Sequence, residues 1–156
     1  MKQFRSSILI ALITLTLLAI APAASAIDFG VRAGRYDDAD ENFVGAELAI
    51  DLGRATLNPN VEYFYDIENA TVGSANLDVT FDIARFGVVS PYLGVGGGLG
   101  YVDTDFGGSD TSLLGNAIGG VRFNLAFLKP YAQVKYVHNF DEGGGNDYAL
   151  TVGLRF

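Results

Sequence analysis

The feature that most constrains this chain is its C-terminal stretch, where Tyr148, Leu150, Val152, Leu154 and Phe156 are bulky and apolar at every second position. Between them stand Ala149, Thr151, Gly153 and Arg155, which are small, polar or charged. Strict period-two alternation predicts a β-strand with one apolar face and one wet face. The strand runs to the final aromatic residue with no polar tail behind it.

The other end predicts export. Lys2 and Arg5 form a basic start, Ile8 to Ile20 is an apolar run broken only by threonines, and Ala24-Ser25-Ala26 is a small-residue cleavage site. That is the pattern of a secretory signal peptide over residues 1–26. A membrane anchor would need a longer run, of about 20 apolar residues. Cleavage after Ala26 leaves residues 27–156 as one domain. Losing Lys2 and Arg5 takes the formal charge from −8 to −10. An acidic surface of that kind repels nucleic acid, so no nucleic-acid partner is expected. The chain has no cysteine, which excludes a disulfide framework, a thiolate metal site or nucleophile, and a lipidated N-terminal cysteine.

Eight stretches carry period-two character with turn-rich breaks between them: 29–36, 43–52, 55–66, 75–85, 88–103, 112–124, 128–139 and 148–156. One face collects aliphatic and aromatic residues such as Val44, Leu48, Val61, Leu77, Val79, Leu93, Val95 and Val134. The other collects Arg32, Glu47, Asn58, Asn60, Glu62, Asp78, Thr80, Asp82, Asn116, Arg122, Gln133, Lys135, Thr151 and Arg155. Phe64, Tyr92, Ile118 and Tyr131 break this sorting by falling on the polar face, and Pro59 by falling on the apolar one.

The breaks alternate in length. Those at Gly53-Arg54, Phe86-Gly87 and Leu125-Ala126-Phe127 are tight, whereas 37–42, 67–74, 104–111 and 140–147 are longer and rich in Asp, Glu, Gly and Asn. Tight turns at one end and acidic loops at the other predict an all-β fold, an eight-stranded antiparallel up-and-down transmembrane β-barrel with short turns in the periplasm. An even strand count puts both termini on that periplasmic side. Gly94, Gly96, Gly98 and Gly100 alternate along the polar face of the fifth stretch. A phosphate loop would have to open a helix, and no helical pattern follows, so these glycines are read as relief of crowding in a narrow barrel.

A soluble barrel with its apolar face inside and a small ligand in its cavity is the alternative. Two features favour the membrane. Aromatic residues of the apolar face (Phe29, Tyr63, Tyr65, Tyr101, Phe123, Tyr136, Tyr148, Phe156) gather near strand ends, as interfacial girdles do. The stretches also have the length of about 9–11 residues that crosses a bilayer at the usual tilt. Backbone amides in lipid must all be paired, which only a closed barrel achieves with strands.

Over residues 27–156 the chain resembles, as an architecture, the small eight-stranded outer-membrane β-barrels of the OmpX and OmpA transmembrane-domain type. The resemblance implies an integral protein of the bacterial outer membrane. The terminal strand Tyr148, Leu150, Val152, Leu154, Phe156 resembles the signal read by the barrel assembly machinery, an expected partner during biogenesis. Outer-membrane lipid and lipopolysaccharide are the expected lasting partners, and a monomer is expected. No wall-binding domain follows Phe156, so wall tethering is not implied.

A lumen of eight strands is just wide enough to be filled by side chains. The charges within it, Arg32, Glu47, Glu62, Asp78, Asp82, Arg122, Lys135 and Arg155, are expected to form a paired network. Turning the first hairpin about 37–42 sets Arg32 opposite Glu47. The next outer hairpin brings Glu62 near Asp78, with Arg122, Lys135 or Arg155 supplying charge from the far wall. Removing Arg122 or Lys135 is expected to destabilise the barrel by leaving carboxylates unpaired.

No cofactor and no metal site is expected. Asp37, Asp38, Asp40, Asp103 and Asp105 are the better candidates for a hard cation, but they lack an ordered calcium-loop spacing. Catalysis is not expected either. His138 is the only histidine, and the slot two residues on holds Phe140 where a lipid A deacylase of this architecture would carry serine; Ser109 and Ser112 have no sequence tie to it. The expected function is therefore structural or interactional, a packed scaffold presenting acidic loops. A narrow pore or transport component is the alternative, followed by a lipid-modifying enzyme and the soluble ligand-binding barrel.

Overall fold

A computed structural model describes residues 26–156 except 66, 68–69, 105–106 and 142–143. The expected signal peptide up to residue 25, and Asp66, Glu68, Asp105 and Glu142, lie outside the described residues. The strands are β1 (Ala26–Tyr36), β2 (Glu41–Asp51), β3 (Ala55–Phe64), β4 (Ala70–Asp82), β5 (Val89–Thr104), β6 (Gly108–Phe123), β7 (Lys129–Asn139) and β8 (Asn146–Arg155). Each pairs antiparallel with its sequence neighbour, and β8 pairs with β1 to close the barrel. Reciprocal bonds between the backbones of Phe29 and Phe156 complete the seam. Closure leaves no strand edge facing lipid.

The strands run further into the acidic breaks than the alternation suggested. β4 begins at Ala70 where alternation pointed to residue 75, and β6 at Gly108 where it pointed to 112. Polar residues mask the alternation at these ends because both faces are wet once a strand leaves the membrane. The tight turns are real reversals, with positive φ at Gly53, Gly87 and Ala126.

The apolar face is outside. Val95, Leu150 and Val152 stand more than half exposed while Thr151, Lys135 and Ser90 are fully buried. This overturns the soluble-barrel alternative, which needs the opposite sorting. The outward aromatics separate largely by type: Phe29, Phe81, Phe86, Phe123, Phe127 and Phe156 ring the short-turn end, and Tyr63, Tyr65, Tyr101 and Tyr148 the long-loop end, where Phe140 is the exception. Tyrosine carries a hydroxyl for the wetter headgroup region, and phenylalanine does not.

Inside, bulk is accommodated by glycine. In the strand register Arg32 lies opposite Gly45, Glu47 opposite Gly30, Phe43 opposite Gly34, Tyr92 opposite Gly120 and Tyr131 opposite Gly153. The β5 glycines repeat the device: Gly94, Gly96 and Gly98 face Thr80, Asp78 and Asn76 of β4. A Cβ at Gly96 would collide with the Asp78 carboxylate, and one at Gly98 with the Asn76 amide. In a lumen this narrow, one large side chain uses the space of two positions.

Pro59 sits in the middle of β3, where it has no N–H to give the ladder. Its β2 neighbour by register is Leu48, and the Leu48 carbonyl instead accepts from the Asn58 side chain at 2.6 Å. An inward asparagine thus supplies the donor that the outward proline lacks, at a depth where water cannot.

Candidate functional site

The lumen is built in tiers, each set by which inward positions of neighbouring strands share a level. At its centre, Glu62 of β3 accepts from Lys135 Nζ of β7 at 2.7 and 2.8 Å, from the Tyr36 hydroxyl at 2.9 Å and from Ser74 at 3.2 Å. Arg32 approaches Glu62 at 3.1 Å and Glu47 at 3.5 Å. None of its three nitrogens makes a well-directed hydrogen bond, so Arg32 links the two carboxylates by charge. Arg155 of β8 donates through Nε to Glu47 at 2.7 Å and stacks on Tyr131 with its guanidinium carbon 4.7 Å from the ring centre. The result is one buried chain, Arg155–Glu47–Arg32–Glu62–Lys135.

Asp78 has a different arrangement. It accepts from Asn60 at 2.8 Å and Asn116 at 3.0 Å, amide donors rather than a cation from the far wall. Nor is it beside Glu62: the register sets Glu62 against Ser74 and Asp78 against Asn58. Likewise Arg32 is opposite Gly45 and reaches Glu47 only diagonally. The expected Arg32–Glu47 pair forms, though not in direct register, and the expected Glu62–Asp78 neighbourhood does not, because the hairpins turn earlier than the composition of the loops suggested. The first reverses over Asp37–Asp40, so Tyr36 already pairs with Glu41. Adding Asp78 balances the three central cations with three carboxylates, which lowers the cost of burying them at membrane depth.

Arg122 and Asp82 form a separate pair at the short-turn end, 2.9 Å apart, with Arg85 on the other Asp82 oxygen at 3.1 Å. They line a polar vestibule of about 300 Å³ with Asp28, Asp51, Arg54 and Lys129. Lys129 is bound to Asp28, joining β7 to β1 beneath the barrel.

At the opposite end the polar core is closed by an aromatic lid. Tyr36, Phe43 and Phe64 pack with ring centres 5.2 to 6.0 Å apart. Val137 and Ala149 complete the cluster, and Phe43 is wholly buried. Lys135 Nζ lies 5.4 Å from the Tyr36 ring centre, just beneath the lid. The sequence noted that Phe64 breaks the polar sorting; it missed that Tyr36 and Phe43 do the same from their own strands. The available signal was an aromatic at an inward position near the outer end of three successive strands.

Above the lid lies a cleft of about 440 Å³ whose floor includes Tyr36, Phe64, Leu114 and Val137, and whose charged lining residues are Asp38, Glu41 and Asp147. Asp147 accepts the backbone N–H groups of Asp38 and Ala39 at 2.9 and 3.2 Å, tying the first loop to the last strand. Two other loop carboxylates have local partners. Asp40 is paired with Arg35, and Asp103 accepts the Tyr101 hydroxyl at 3.3 Å. Asp37 gives its N–H to the Tyr148 carbonyl. Among the described residues no group of three His, Asp or Glu side chains gathers as a metal site. His138 bonds Asn146 at 2.6 Å and meets the edge of Phe140.

The fold and its sorting of faces define a class: a small outer-membrane β-barrel, antiparallel throughout, closed by its last strand. No family model and no curated protein matches the sequence. Among solved structures, the crystal structure of Neisserial surface protein A is similar, with a TM-score of 0.66 and 15% identity over 83% of this chain and 94% of that one. That likeness is one of fold. The attachment invasion locus protein Ail of Yersinia pestis matches over 83% of this chain and 96% of its own at 19% identity and a TM-score of 0.39 in its crystal structure. Its structure in a phospholipid bilayer nanodisc matches over 84% and 100% at 14% identity, with a TM-score of 0.47.

Proposed function

We propose that this protein is exported by a signal peptide cleaved after Ala26, is assembled from the strand ending in Tyr148, Leu150, Val152, Leu154 and Phe156, and stands as a monomeric scaffold in the outer membrane, acting through its acidic outer end. The observation that carries this reading is the filled lumen, where a balanced charge chain lies under a three-ring aromatic lid. Such an interior stabilises a wall and obstructs a passage. The work therefore falls to the outer end, where Asp37, Asp38, Asp40, Glu41 and Asp147 gather. Lipopolysaccharide phosphates next to this rim would need a bridging divalent cation, and the carboxylates are the oxygen ligands such an ion takes. A catalytic reading gains nothing from His138, whose partners are an amide and a phenyl ring.

The test is outer-membrane fractionation followed by gel electrophoresis with and without boiling. A compact SDS-resistant band that slows on heating, found in the outer membrane and starting at Ile27 by N-terminal sequencing, is the expected result. Recovery as a soluble periplasmic protein without a shift would sink it.

A further inference from the structure

The vestibule at the short-turn end has charges that do not cancel. Arg54, Arg85, Arg122 and Lys129 line it against Asp28, Asp51 and Asp82, a local cationic excess in a chain of formal charge −8. Each carboxylate already has a donor. Asp28 holds Lys129, and Asp51 accepts the Gly53 N–H at 2.7 Å within its own turn. Asp82 alone serves two guanidinium groups, Arg122 at 2.9 Å and Arg85 at 3.1 Å. Donors are therefore left over. The Nε of Arg122 is buried with no partner, and Arg54 has neither ion pair nor hydrogen bond among the described residues.

A β-bulge turns one of these arginines inward. Leu77, Phe81 and Ile83 stand exposed on the lipid side, and plain alternation would send Arg85 the same way. The Ile83 N–H bonds the Pro91 carbonyl, whereas the next pair towards the turn is Phe86 with Val89. Ala84 and Arg85 therefore stand against Ser90 alone, two residues opposite one. The extra residue reverses the facing, and Arg85 reaches Asp82 through both Nε and Nη2. Bulges at barrel rims re-aim side chains in this way. Arg122 is enough to pair Asp82, so the second arginine brings a charge that only a further anion would match.

We propose that the vestibule is a binding site for a phosphate group, held by Arg54, Arg85 and the free Nε–H of Arg122, with Asp82 fixing the last two arginines in place. A guanidinium presents paired N–H donors that match the oxygens of a phosphate. The cavity, of about 300 Å³, is at the small end of ligand sites, as suits one such group. Entry is past Arg85, whose side chain is 66% exposed. The same oxygens come as free phosphate in the periplasm or as the headgroup of a phospholipid beside the short-turn rim. The site stands on the closed barrel alone; its opening to the periplasm rests on the outer-membrane reading.

The experiment uses the full mature chain, isotope-labelled, in maltoside micelles, which carry no phosphate of their own. Inorganic phosphate is titrated in while the arginine Nε–H resonances are followed by nuclear magnetic resonance, with sodium chloride at matched ionic strength as the control. A saturable shift at Arg54, Arg85 and Arg122 is expected with phosphate and not with chloride. Arg54→Gln and Arg85→Gln should each weaken binding about tenfold, the loss of one charge-assisted hydrogen bond. Dihexanoyl phosphatidylglycerol, kept below its micelle-forming concentration, separates the two sources. Saturation at a lower concentration than inorganic phosphate assigns the site to lipid, and at the same or a higher one to the free ion. Equal shifts with chloride, unchanged affinity in both variants, or no saturable shift with either source would overturn the proposal. Should a variant fail to fold, the chloride comparison on the unaltered barrel still decides the matter. A barrel that shows the heat-dependent gel shift but ignores phosphate defeats this inference alone; loss of the shift strikes the outer-membrane reading instead.

Discussion

Glu62 shows what a single residue must satisfy when it is buried in a barrel rather than in a globular core. It holds two oxygens at the level where Lys135, Arg32, Tyr36 and Ser74 converge, and its side chain is shut off from solvent. Lys135 is the partner with the best geometry and is itself fully buried. Lys135→Met keeps the stem and removes the charge, leaving a carboxylate with one poorly directed cation. Such broken buried pairs cost on the order of 3 kcal/mol, which we expect as a lower urea midpoint for unfolding from lipid vesicles. Lys135→Met combined with Glu62→Gln should recover much of that loss, because the orphaned charge goes with it. A double variant no more stable than Lys135→Met alone would refute the pairing. Residue chemistry of this kind was legible in part. Alternation put Arg32, Glu47, Glu62, Lys135 and Arg155 on one face, but it did not distinguish them from Asp78, which is served by asparagines.

Along a strand the governing rule is the pairing of bulk with glycine. β5 carries Gly94, Gly96 and Gly98 against Thr80, Asp78 and Asn76, so the widest polar side chains of β4 lie over bare backbone. Gly96→Ala would drive a methyl into the Asp78 carboxylate and displace it from Asn60 and Asn116. Overpacking of this sort costs about 1–3 kcal/mol, so a lower urea midpoint is expected, together with slower assembly into vesicles. Gly97→Ala is the control, since its Cβ would meet only a β6 carbonyl oxygen at 3.4 Å. Equal effects from the two would show that glycine acts here through backbone freedom rather than space. The glycine ladder was visible in the sequence as a pattern, and crowding relief was the right kind of explanation. Which residues it relieved was not visible, because that depends on the partner strand.

For the whole molecule, the aromatic lid separates the polar, packed lumen from the outer cleft, and the polar vestibule lies at the lumen's other end. If the lid is the barrier, Phe43→Ala with Phe64→Ala should convert a silent barrel into one with small, resolvable conductance steps in planar bilayers. The unaltered barrel should stay silent, and steps of equal size from both proteins would revive the pore alternative. The heat-dependent gel shift must persist in the double variant, confirming that the wall survives without the lid.

Some of this architecture was determined by the sequence alone. Period-two alternation decided that the chain makes strands, which residues share a face and, with the aromatic ends, that the apolar face meets lipid. Loop length and acidity decided which end is which. Tertiary structure decided the partners. A slip of one residue between strands would turn every side chain to the wrong face, so alternation forbids it. A slip of two leaves all faces as they were, and alternation cannot detect it. That is the difference between Arg32 opposite Glu47, as the loop suggested, and Arg32 opposite Gly45, as the closed barrel has it. Space inside the lumen favours the second register, because the large side chain then faces a glycine and reaches both carboxylates.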